Sequence, residues 1–103
     1  MDMIEQDGGA TRIAVLEGDL TPDDGLRMRD TILEAMSSPV CRKLYFDMSK
    51  VRFMGSSGLG VLLFGARRLR EQKKELSLCN IAPPMKKMFK DIRLDEVFSL
   101  DET

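Results

Sequence analysis

Ser56 and Ser57, set in Met54-Gly55-Ser56-Ser57-Gly58-Leu59-Gly60, are the side chains whose type and spacing best suit chemistry. The stretch from Phe46 to Gly60 reads as a strand delivering a Ser-Ser-Gly turn straight into a helix, in which Leu59, Leu62, Leu63, Ala66 and Leu69 recur at helical spacing. A strand delivered straight into a helix presents a hydroxyl at the positive end of the helix dipole. Backbone N–H groups without intrahelical partners receive an anion there, and phosphate is the biological anion of choice. The same hydroxyls could instead cap the helix by accepting one of those N–H bonds. Gly55, Gly58 and Gly60 keep this turn bare, so another backbone could approach it closely.

Other chemistries are excluded by what is missing. The chain has no histidine, which removes Ser-His-Asp arrangements and the usual zinc ligand. Gly55-Ser56-Ser57-Gly58 is not a nucleophile elbow, because residue 59 is leucine, and there is no Gly-Lys-Ser/Thr phosphate loop. We therefore expect no enzyme, no cofactor and no metal. Cys41 and Cys79 are far apart in sequence. Cys79 lies in an apolar run with Leu76, Leu78 and Ile81, which suits a buried small hydrophobe rather than a disulfide.

At 103 residues the chain reads as one domain, long enough to bury about 65% of its unfolded surface around one core. No apolar run reaches the length of a membrane span, and the acidic start, Met1 to Asp7, lacks the features of a signal peptide. A cytoplasmic protein without membrane insertion is expected. Net charge is −1, but residues 1–50 carry six basic and ten acidic side chains, and residues 51–103 carry ten and seven. The basic excess gathers in Arg67, Arg68, Arg70, Lys73, Lys74, Lys86, Lys87 and Lys90. These form either solvated helix faces or a docking surface for an acidic partner. Nucleic acid ranks lowest, since one tyrosine and five phenylalanines, most at core-like positions, leave little to stack on bases.

The elements needed to hold the serines follow from periodicity. Residues 11–17 read as a strand after a Gly8-Gly9 turn, with residues 1–6 as an edge strand beside it. Thr21-Pro22-Asp23-Asp24 reads as a hydroxyl cap, a first-turn proline and acids facing the dipole. That helix runs to about Met36 and is expected to bury Leu26, Met28, Ile32, Leu33 and Met36. Further strands are read at 43–47 and 75–79. A short helix opens at Pro83-Pro84, with Met85, Met88, Phe89 and Ile92 inward, and Val97-Phe98 reads as a last short strand. Alternating strands and helices indicate an α/β domain with a mixed sheet.

Residues 46–60 resemble, nearly residue for residue, the signature of the STAS family, the domains of sulphate transporters and anti-sigma factor antagonists. The likeness is clearest over residues 44–79 and extends over about 11–93. Gly18-Asp19-Leu20 looks like the family's turn after an early strand, and Asn80-Ile81-Ala82-Pro83 like its turn before the third helix. The resemblance implies a single STAS domain over residues 1–103, a small mixed β-sheet flanked by helices, with the final helix short or absent. It also implies an anti-sigma factor antagonist-like partner switch. Such a domain binds an anti-sigma factor or related histidine-kinase-like serine kinase when unmodified. The kinase phosphorylates the serine, and a serine phosphatase resets it.

Residue by residue, the phosphorylated position falls on Ser56, with Ser57 ranked behind it. Gly55, Ser57, Gly58 and Gly60 would belong to the partner surface. On the following helix Val61, Phe64, Gly65 and Arg68 fall opposite the core stripe and would extend that surface. The antagonist pattern usually has aspartate immediately before the two serines and an acid soon after the early Gly-x-Leu turn, where this chain has Gly55 and Thr21. A constitutive subunit of a transporter ATPase complex or signalling assembly, without a phosphate switch, is the alternative.

Overall fold

A computed structural model describes residues 2–20, 22–91, 93 and 99–100. Strand β1 (Asp2–Gln6) leads through a 3-10 turn at Asp7–Gly9 into β2 (Thr11–Leu20). Helix α1 (Pro22–Ser37), β3 (Lys43–Met54), α2 (Ser56–Glu71), β4 (Glu75–Cys79), α3 (Pro83–Asp91) and β5 (Ser99–Leu100) follow. The five strands lie in chain order, with β1 antiparallel to β2 and every later neighbour parallel. A parallel neighbour requires a crossover, which is the role of the three helices.

Alternation along the strands explains the core. Ala14 and Leu16 of β2, Leu44, Phe46 and Met48 of β3, and Leu76 and Leu78 of β4 are all buried. They join Met28 and Ile32 of α1, Leu62 of α2 and Phe89 of α3 in one cluster. Ile13, Val15, Tyr45 and Asp47, one residue out of phase, stay half-buried on the opposite sheet face. On β4 both faces are buried, Ser77 and Cys79 included.

Several details differ from the sequence reading. The early strand does not stop before Gly18. It continues to Leu20, and Gly18, at φ +71°, sits where the β2–β3 register shifts, so the expected turn is a bulge inside a strand. Leu26 and Leu33 are 60% and 38% exposed rather than buried. Met28 and Ile32 are buried as expected, and the inward stripe of α1 is completed by Gly25 and Ala35, whose small size lets the helix settle on its neighbours. Thr21, Ile92, Val97 and Phe98, and the segment after Leu100, lie outside the described residues.

Lys74 also changes role. Grouped by charge with the basic surface, it is half-buried, and its ammonium donates to the carbonyl oxygens of Ala35 (2.7 Å), Met36 (3.1 Å) and Ser38 (2.8 Å). Helix α1 has no basic residue in its own last turn. Lys74 supplies the missing positive charge from across the fold, satisfying carbonyls a helix end leaves unpaired.

Candidate functional site

Strand β3 pairs with β4 only as far as Asp47, then continues alongside β2 to Met54. This extension carries the chain past the end of β4 and hands it to α2 through one residue. Gly55, at φ −83° and ψ −177°, is that residue, and it caps the helix with no side-chain hydrogen bond. The N-cap position is thus held by Gly55, and Ser56 and Ser57 are the first two residues of the helix itself. Gly55 takes the extended conformation that an N-cap requires. The first ladder bond runs from the Leu59 N–H to the Gly55 carbonyl, 3.2 Å. The first turn of α2 holds no acidic residue, so none of its own carboxylates counters the dipole at this end.

The glycines expected to keep the surface bare divide. Gly60 is exposed, and a Cβ there would meet nothing within 4 Å. Gly58 is buried, and a Cβ would come within 2.8 Å of Met54 Cγ. Gly58 thus lets the first turn of α2 fold back onto the end of β3.

Val61, Phe64, Gly65 and Arg68 also divide. Gly65 does not face solvent: a Cβ there would lie 2.5 Å from Ile32 Cδ1 of α1. Val61 is half-buried, with Cγ2 beside Gly25 of α1. The covering element is α1. Phe64 is half-buried, and two guanidinium groups lie over its ring, Arg29 of α1 and Arg68 of α2, each 5.7 Å from the ring centroid. Arg68 also reaches Glu71 at 3.5 Å. Gly60, Leu63, Phe64, Arg67, Arg68 and Glu71 line a shallow groove along the outer face of α2. Arg29 was missed by the sequence reading, because only the packing of α1 on α2 brings it to Phe64.

Asp47 marks where β3 leaves β4. Its Oδ1 accepts the Ser49 N–H at 2.9 Å. Burial pushes its carboxyl up, but the Ser49 backbone and hydroxyl, the Asn80 side chain and the charge of Lys50 outweigh that and hold it below the usual value. This carboxylate links the bend in β3 to the turn before α3. The described residues contain no group of three or more histidine, cysteine, aspartate or glutamate side chains able to hold a metal ion. No described helix is long and apolar enough to cross a membrane.

Known proteins share this fold. The family model described as "Mlab, STAS domain" matches residues 3–100. The anti-sigma F factor antagonist of Paenibacillus polymyxa is 28% identical over 76 residues, covering 74% of this chain and 65% of that relative, just under two-thirds of its length. An anti-sigma factor antagonist (STAS) domain protein of Planctomyces limnophilus is 29% identical, with a TM-score of 0.67 over 82% of this chain and 73% of that one. The Bacillus cell fate determinant SpoIIAA, solved in its phosphorylated form, superposes with a TM-score of 0.75 at 24% identity, covering 98% and 90% of the two chains.

Proposed function

The chain belongs to the STAS domain family, and on that premise we propose that it is an anti-sigma factor antagonist-like switch controlled by phosphorylation of Ser56. The observation that carries the reading is the position of Ser56 as first residue of α2, one residue past a bare glycine cap. A phosphate there meets the unpaired N–H groups and positive dipole of the helix. Ser57, second in the helix, is the reserve acceptor.

The partner surface runs from Gly55 and Ser57 along the outer face of α2 through Gly60, Phe64 and Arg68. Val61 and Gly58 support it from below: the first packs toward α1, and the second seats the turn on Met54. Phe64 with two guanidiniums over its ring is an anchor of the kind that dominates binding interfaces, and the arginines favour an acidic partner. The partner is an anti-sigma factor or histidine-kinase-like serine kinase, with a serine phosphatase as the resetting enzyme. Phosphate adds about −1.5 to −2 charge at the edge of this surface. Set against an acidic partner, even about 1.4 kcal/mol of repulsion loosens binding tenfold, so no rearrangement of the fold is required.

The test is binding of the cognate anti-sigma factor to wild type, Ser56→Ala and Ser56→Asp, with mass spectrometry locating any phosphate added from ATP. Binding by the alanine form and a loss of about tenfold or more in the aspartate form is expected. Equal binding by all three, with no phosphate on Ser56, overturns the switch. That result favours a constitutive subunit, the reading that Gly55 in place of an acid supports.

A further inference from the structure

A second interaction surface lies at the β1 edge of the sheet, two strands away from β3, which leads into Ser56. Among the described residues β1 is terminal in the sheet, so one row of its N–H and C=O groups has no described strand beside it. Protein sheets usually blunt such edges with charged side chains, lysine above all, or with proline, a bulge or a covering element. Asp2-Met3-Ile4-Glu5-Gln6 contains neither proline nor lysine, and it pairs with β2 through five consecutive positions without a register shift. The most extensive contacts of β1 are to β2 and to the Asp7–Gly9 turn.

The side chains around the edge are unusually apolar for solvent. Met3 and Ile4, on opposite faces of β1, are 40% and 47% exposed. Glu5 is turned toward Arg12 of β2, 3.6 Å away, so the charge it brings to the edge is countered. Arg12 in turn lines a groove with Leu33, Pro39 and Val40, and Val40 is 51% exposed. Backbone groups, apolar surface and a neutralised charge therefore coincide on one side of the molecule.

We propose that β1 is the dimer interface of this protein, pairing antiparallel with β1 of a second copy to form a continuous ten-stranded sheet. An unpaired strand edge is complementary to another strand, and an identical strand is always available. Antiparallel self-pairing closes under a two-fold axis, so assembly stops at two. The register centred on Ile4 uses the whole strand, setting Ile4 opposite Ile4, Met3 opposite Glu5, and Asp2 opposite Gln6 of the second copy. No like charges then stand directly opposite, and the net charge of −1 gives little repulsion between copies. The outer face of α2, which packs on α1 and β4 rather than β1, stays free. Each dimer then presents two partner sites.

The experiment is light scattering after size-exclusion chromatography over a concentration series, using a C-terminal tag. Wild type is expected to dimerise. Ile4→Lys and Ile4→Glu should each weaken the dimer by about tenfold or more, with unchanged circular dichroism. Mixing the two variants should restore a dimer, because opposite charges then meet across the axis. Phe64→Ala, on the other surface, should dimerise normally. Amide exchange in β1 that slows with protein concentration provides a readout on the unmodified chain. Wild type that stays monomeric, or a dimer that survives both Ile4 substitutions, overturns the proposal. A mixture that stays monomeric overturns the Ile4-centred register.

Discussion

Gly65 and Gly60 stand five residues apart on α2 and teach opposite lessons. At Gly65 an added Cβ would lie 2.5 Å from Ile32 Cδ1, 3.0 Å from Ile32 Cγ1 and 3.3 Å from Leu76 Cδ2. At Gly60 it would meet nothing within 4 Å. The first glycine lets α1 and α2 close into a seam, and the second leaves bare helix beside the candidate phosphosite. One face of α2 is thus fixed by packing, and the other is available for binding. Glycine in a helix interior costs about 1 kcal/mol relative to alanine, and only Gly65 recovers that through helix packing.

The contrast is broken most severely by filling the seam. Gly65→Val should destabilise the domain by about 2–3 kcal/mol through overpacking, lowering the calorimetric Tm by roughly 10 °C or more. A variant as stable as wild type would show that the helices do not approach this closely. Next in size is Lys74→Met, which removes three charge-assisted bonds to the end of α1 and leaves its carbonyls unpaired. A loss of about 2 kcal/mol in urea unfolding is expected. Gly60→Ala sharpens the comparison by going the other way. Helix propensity predicts a gain of about 0.5–1 kcal/mol in stability, together with weaker partner binding if this face is the interface.

The smallest effect concerns Asp47. Its carboxyl lies below the usual value, so the fold favours the ionised form. That contribution is present above the unfolded value near pH 4 and is lost as pH falls through the lower folded value. Asp47→Asn has no such contribution to lose. The gap in urea midpoint between wild type and Asp47→Asn should therefore narrow on acidification from neutral pH, and a constant gap would contradict the assignment.

Particular residues show how far the sequence could be read. Glu75 to Cys79 is a strand, α1 begins at Pro22 and α3 at Pro83, all as read from periodicity and helix-start chemistry. The Ser-Ser-Gly turn into a helix was equally legible, because a strand pattern gives way there to a 3.6-residue repeat. The residue at the N-cap was not legible, since both Gly55 and the serines are acceptable N-cap residues by type and only backbone angles choose between them. Leu26 and Leu33 were placed inside because hydropathy marks a stripe without saying which part of it the neighbours reach.

Local pattern by itself determined the order of strands and helices, the position of Ser56 at a helix start and membership of an α/β class. Those properties depend on residues near in sequence: alternation, helical spacing and turn chemistry. Only the tertiary structure decided that Lys74 caps α1, that Arg29 and Arg68 lie over one ring, and that Gly65 is buried while Gly60 is bare. Each of these brings together residues from separate elements, or sets one residue against a surface folded from elsewhere. Charge and hydropathy describe what a side chain can do, but the packing of α1 against α2 decides what it meets.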